Sequence, residues 1–242
     1  MTTLNADLLL RAYASGIFPM ADDAAAQEVY WVEPKKRGVL PLDQFHLSHS
    51  LTKTLKSGRF TTSVDLAFED VLNGCADREE TWINRQIADA VVTLRQIGHA
   101  HSIEVWEDTT LIGGLYGVTL GHAFFGESMF SRATDASKVA LAHLVARMRI
   151  GGFTLLDCQF ITPHLASLGA IEISQKAYCA LLSAAVATPP SAGTSGGGAA
   201  VFSDFFAFDA WCADVESVPP SAFWAPGGGS PWFIWHALTQ TS

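Results

Sequence analysis

Apolar positions recur at helical spacing over residues 6–15, 50–56, 65–75, 82–97, 136–149, 163–168 and 175–185, and these stretches are predicted helices. Between them, RFTTSV, HSIEVWED, LIGGLYGV, HAFFGESMF and FTLLDCQF are short, rich in β-branched and aromatic residues, and bounded by turn residues, so they are predicted strands. Three strands joined by tight turns, then a helix and a further strand, imply hairpins followed by a β-α-β crossover. The expected class is α/β (α+β), a mixed sheet with helices packed on both faces.

Punctuation divides the chain into three parts. Residues 1–60 form a small N-terminal α+β lobe, with the turn GIFPM, the extended segment VYWVEP and the basic cluster Lys35, Lys36 and Arg37. Residues 61–187 carry the alternating helices and strands of the main domain. Residues 188–242 open with the Gly/Pro-rich linker TPPSAGTSGGGAA and continue into a tail rich in Phe and Trp. So many aromatics suit a segment that docks on the body better than a solvated one.

Alternation within the strands picks out candidate chemistry, because every second side chain shares a face. In HAFFGESMF, Glu127 falls in a row with Ala123, Phe125 and Met129. A carboxylate there needs a partner: it either recognises a cationic or amino ligand, or pairs with a neighbouring Arg or Lys. In LLDCQ, Asp157 and Gln159 share a face. They either orient the Gln159 amide so that its oxygen accepts an incoming N–H, or cap the helix that follows. The intervening helix presents Leu141, Leu144, Val145 and Met148 as one apolar stripe, which is core or, where open, the wall of a pocket. Thr134, Asp135 and Ser137 are candidate caps for that helix.

Composition narrows the classes. At 242 residues, 49% hydrophobic and 16% charged, the chain is globular and long enough for a substantial core. No apolar run reaches the roughly 18 residues of a membrane helix, and MTTLNADLLLRAY has no signal-peptide pattern. Cys75, Cys158, Cys179 and Cys212 are widely spaced without zinc-ligand or disulfide patterning, so no metal is expected and a reducing cytoplasm fits. A net charge of −9 argues against a protein coated in nucleic acid, although all Lys and Arg lie at or before Lys176, so a local basic face on the body stays open. No Walker loop or GxGxxG occurs. The run Arg95–Ala100 fits a pyrophosphate-loop pattern but sits between a helix and a strand, the wrong context. His101 and His164 are read as structural.

Nine segments, AYASGIFPM, YWVEPKKRGVL, TWI, HSIEVW, LIGGLYGV, GESMFS, ASKVAL, LLDCQ and HLASLGA, appear in an order that resembles the leucyl/phenylalanyl-tRNA–protein transferase family. They span most of residues 5–185. The resemblance implies an acetyltransferase-like catalytic domain that moves Leu, also Phe and less often Met, from aminoacyl-tRNA to the N-terminal Arg or Lys of proteins. The new N-terminus marks them for N-end-rule degradation. It implies no cofactor, since aminoacyl-tRNA is the substrate, and a cytoplasmic protein, monomeric by default, without membrane or DNA partners.

The resemblance also implies site residues. The polar centre is Glu127, Asp157 and Gln159, and the amino-acid pocket is Leu115, Met129, Leu141, Leu144 and Met148. Trp82 stacks on the terminal adenosine of the tRNA. Lys35, Lys36, Arg37, Lys53, Lys56, Arg59 and Arg132 are candidates for its backbone. Two departures stand out: Phe18-Pro19-Met20 replaces the FPW of many relatives, and the aromatic tail lies outside the family core. The competing classes are another acyltransferase of the same superfamily, using acyl-CoA or aminoacyl-tRNA, and a module that only binds basic N-termini.

Overall fold

A computed structural model describes residues 4–187, 204–214 and 231–239. Helix α1 (Ala6–Ala14) starts at Asn5, whose side chain accepts the N–H of Leu8. Strands β1 (Phe18–Met20) and β2 (Tyr30–Val32) pair antiparallel in a two-stranded sheet, so GIFPM supplies a strand as well as a turn. After β3 (Lys36–Val39) come α2 (His49–Lys56), β4 (Thr61–Val64), α3 (Phe68–Ala76) and α4 (Arg85–Gln96).

Strands β5 (Ala100–Glu107), β6 (Thr110–Leu120) and β7 (Ala123–Ser131) form the expected hairpins. Helix α5 (Ala136–Ile150) crosses over to β8 (Leu155–Gln159), which runs parallel to β7. Helix α6 (Pro163–Ser167), β9 (Ile171–Ser174) and α7 (Gln175–Val186) follow, and α8 (Ala207–Asp214) and α9 (Pro231–Thr239) belong to the tail.

The main sheet has seven strands in the order β4-β5-β6-β7-β8-β3-β9. Strand β3, from the first sixty residues, is therefore an interior strand between β8 and β9. Neither β3 nor β9 is visible as a strand pattern in the sequence, because KRGV reads as a charged turn and IEIS is only four residues long.

Two apolar clusters cover the sheet. Phe124 and Phe125 are adjacent yet belong to different clusters, as do Leu155 and Leu156, so the clusters lie on opposite faces. One face is covered by α1, α3, α4 and α7 through Tyr13, Val71, Ile87 and Tyr178. The other is covered by α2, α5, α8 and α9 through Leu51, Leu144, Phe208 and Ile234.

Helix α5 is buried nearly all round, beyond the single stripe expected. The tail covers its far side. Arg147 is fully buried and donates to both carboxylate oxygens of Asp209, at 2.6 and 2.9 Å, and to the Phe205 carbonyl at 2.6 Å. Docking of the tail holds for Phe205, Phe208 and Ile234, while Phe206 is exposed. Phe202, Trp211, Trp224 and Trp232 lie outside the residues whose side chains are described.

Two helices begin later than their periodicity suggests. Asp65 is left-handed (φ 58), and its carboxylate accepts the Ser102 N–H and contacts His101 Nδ1 at 2.8 Å, so α3 starts at Phe68. Asn84 caps α4 by accepting the Ile87 N–H, which leaves Trp82 in the preceding loop.

Candidate active site

A β-bulge shapes the site. Gly117 pairs with Gly126 and Tyr116 with Ser128, so Glu127 is the extra residue on β7. The even alternation expected for Ala123, Phe125, Glu127 and Met129 breaks at this point: Phe125 faces the α1 side, whereas Met129 packs on the α5 side. Gly117 permits the close approach, since a Cβ there would sit 2.3 Å from the Phe125 carbonyl oxygen and from the Phe124 ring.

The strand pattern of β8 also ends abruptly. Gln159 adopts φ 59, and its N–H donates to Asp157 Oδ1 at 2.8 Å. Its side-chain Nε2 donates to Glu127 Oε1, also at 2.8 Å. The amide is therefore oriented by Glu127, while Asp157 holds only the backbone, a correction to the expected Asp157–amide pairing. Neither Asp157 nor Gln159 caps α6; Thr162 does, accepting the Leu165 N–H.

Asp157 is fully buried and saturated. Arg37 Nε and Nη2 donate to its two oxygens at 2.9 and 2.6 Å, and Tyr178 Oη donates to Oδ2 at 2.7 Å. Arg37 Nη1 donates to Gly16 O, and its guanidinium lies between the Phe18 and Tyr178 rings, 4.6 and 4.5 Å from their centroids. Arg37 is thus no tRNA-backbone contact. Its strand position turns it inward beside β8 while Lys35 and Lys36 stay exposed. Burial works against the guanidinium charge, but the Asp157 hydrogen bonds and charge outweigh it, and the Arg37 pKa is raised.

Glu127 has no ion-pair partner among the described residues, because the neighbouring guanidinium is committed to Asp157. Burial pushes its carboxyl up to about 7; the Gln159 amide and Tyr13 favour the ionised form, and the Asp157 charge opposes it. Tyr13 Oη stands near the carboxylate without meeting hydrogen-bond geometry, and Tyr116 Oη is likewise buried and unpartnered.

Glu127, Gln159 and Tyr116 edge a cavity of about 250 Å³. Leu115, Met129, Leu141 and Leu144 line it as expected, with Leu156, Cys158 and Leu165. Met148 does not; it is fully buried in the core one helical turn beyond Leu144. Trp82 and Phe160 lie at the cavity with Arg78 and Ser128. The volume falls below the roughly 300–1,000 Å³ of drug-sized sites, so it suits a ligand group of about one side chain. Asp135 does not cap α5 with its side chain, which instead contacts Lys138 and Thr54.

The exposed cations expected to gather on one face are spread out. Lys36 pairs with Glu172 at the β9 edge of the sheet, whereas Arg59 pairs with Glu107 at the β4 edge. Lys56 stacks on Trp235 of the tail, Arg132 lies 3.7 Å from Asp77, and Lys53 is exposed. Sequence reasoning passed over Tyr13, Arg78, Tyr116 and Tyr178. Tyr178 was legible in part, since it repeats with Leu182 and Ala185 on the buried face of α7.

Fold and site together define an α/β protein with an apolar-walled cavity edged by an amide that a buried carboxylate holds. A family model described as leucyl/phenylalanyl-tRNA protein transferase matches residues 39–183, and one for that family's N-terminal domain matches residues 2–35. A leucyl/phenylalanyl-tRNA–protein transferase of Rhizorhabdus wittichii is 58% identical over 228 residues, covering 90% of this chain and 92% of that one. One of Zymomonas mobilis is 60% identical over 185 residues, covering 75% and 69%. Among solved structures, L-PGS from Bacillus licheniformis is a distant match, 12% identical with a TM-score of 0.37, covering 64% of this chain and 53% of that one. The chain belongs to the leucyl/phenylalanyl-tRNA–protein transferase family, and it is an aminoacyltransferase.

Proposed function

We propose that the cavity holds the leucyl or phenylalanyl side chain of an aminoacyl-tRNA while the amine of an acceptor protein attacks the ester carbonyl. The observation that carries this is the 2.8 Å hydrogen bond from Gln159 Nε2 to Glu127 Oε1. An ionised carboxylate only accepts, so it fixes the amide with its oxygen outward to receive the N–H of the attacking amine. The aminoacyl ester is already activated, so the protein acts mainly by positioning and needs no cofactor. The amide bond forms as the ester bond breaks, and the amine proton passes to the leaving ribose oxygen through the neighbouring tRNA hydroxyl. Gln159, a feeble base, positions rather than abstracts.

Acceptors begin with Arg or Lys, whose cationic side chain is drawn to Glu127, and the product is marked for N-end-rule degradation. Trp82, at the cavity, stacks on the terminal adenosine. Among the described residues no helix is long and apolar enough to cross a membrane, and we place the protein in the cytoplasm as a monomer. Radiolabelled leucyl-tRNA incubated with peptides beginning with Arg, Lys, Asp or Glu tests the reading. Label is expected on the Arg and Lys peptides only, and transfer to Asp or Glu overturns the acceptor assignment.

A further inference from the structure

Among the described residues that line the cavity, Arg78 is the one Arg or Lys. It sits in the loop between α3 and α4, four residues before Trp82, and is exposed. Its Nε donates to the Cys75 carbonyl at 2.8 Å and its Nη2 donates to Ser128 Oγ. Ser128 adjoins the bulged Glu127. Two contacts from different elements thus hold the guanidinium in place, one from the end of α3 and one from β7.

No carboxylate lies within ion-pair distance of Arg78 among the described residues, although Asp77, Glu79 and Glu80 neighbour it in the chain. Arg37, by contrast, is wholly committed to Asp157 and Gly16. A held guanidinium without an acidic partner, at the mouth of an apolar pocket and beside an aromatic ring, is suited to a phosphate. The ring takes a base and the pocket takes an acyl side chain, so the matching ligand is an acylated nucleotide whose phosphate meets the guanidinium.

We propose that Arg78 is a phosphate-binding residue for the terminal nucleotide of the aminoacyl-tRNA, contacting the phosphodiester on the 5′ side of the adenosine that Trp82 stacks on. This rests on the transferase reading and adds a residue to its donor-substrate site.

The test compares three donors that carry the same leucyl ester: leucyl-tRNA, leucyl-CpA with a single phosphodiester, and leucyl-adenosine with none. Arg78→Ala is expected to raise KM about tenfold or more for leucyl-tRNA and leucyl-CpA, with kcat little changed and with transfer from leucyl-adenosine within twofold of wild type. The slope of log affinity for tRNA against log salt should shrink by about 0.7, one phosphate contact on a single strand. Arg78→Gln, which keeps an N–H donor for Ser128 and loses the charge, should show the same split.

Equal losses on all three donors would mean that Arg78 only braces the loop, and no loss on the phosphate-bearing donors would mean that it meets no phosphate. Either overturns the proposal. A wild-type protein that transfers leucine from none of the three donors would instead overturn the transferase reading, and the phosphate site with it.

Discussion

Gln159 Nε2 and Glu127 Oε1 are joined at 2.8 Å across two strands, β8 and β7, that run parallel. The carboxylate on a bulge therefore sets the orientation of an amide on a left-handed residue. Gln159→Ala removes the N–H acceptor, and leucyl transfer to an Arg-peptide should fall at least tenfold with the fold intact. Wild-type rates in a single-turnover assay would rule out its central role.

Glu127, pushed up to about 7 by burial, should leave its mark on pH profiles. The carboxylate must be ionised to hold both the amide and a cationic acceptor, so kcat/KM should rise as pH increases through about 7. The acceptor α-amine, with an ordinary pKa near 7.7–8.0, adds a second rising limb. In Glu127→Gln only the amine limb should remain, with lower activity throughout. A profile unchanged in shape would remove Glu127 from the titration.

The same shift links to stability. In the unfolded chain the carboxyl loses its proton near 4.3, whereas the fold retains it up to about 7. The contribution is fully present below the unfolded value and is lost as pH rises through the folded one, a change of order 3 kcal/mol. Urea unfolding from pH 4.5 to 8 should show wild type losing stability from this group and Glu127→Gln not losing it.

Arg37→Ala leaves Asp157 buried against Tyr178 with no countercharge. The expected loss is about 3–5 kcal/mol in urea unfolding at neutral pH. Arg37→Lys should recover only part of it, because an ammonium cannot make the forked contact with both oxygens. A variant as stable as wild type would show that the pair is not what holds β3 to β8.

Leu144 is both pocket wall and core. Leu144→Ala should cost about 2–5 kcal/mol and enlarge the cavity. Relative kcat/KM should then move from leucyl-tRNA toward phenylalanyl-tRNA. An unchanged ratio would place the acyl side chain elsewhere.

Much of the fold is legible along the chain. The hairpins β5-β6-β7, the crossover helix α5 and the strand β8 follow from local periodicity, because each is long enough for its pattern to repeat. Glu127, Asp157 and Gln159 are legible as polar residues in apolar strands. Strand β3 is not, because four residues beginning Lys-Arg-Gly carry no alternation, and their burial comes from β8 and β9, which lie more than a hundred residues away in sequence. Arg37 was read as a surface charge for the same reason.

By itself, the sequence determined the mixed sheet, the apolar stripe of α5 and which polar side chains stood out, since local periodicity and the dislike of apolar strands for charge are properties of short segments. Only the tertiary structure decided who partners whom. The bulge at Glu127 and the left-handed turn at Gln159 exchange an expected Asp157–amide contact for a Glu127–amide contact, and the β3 pairing brings Arg37 to Asp157. Such pairings depend on register between distant strands, where one extra residue re-aims a side chain.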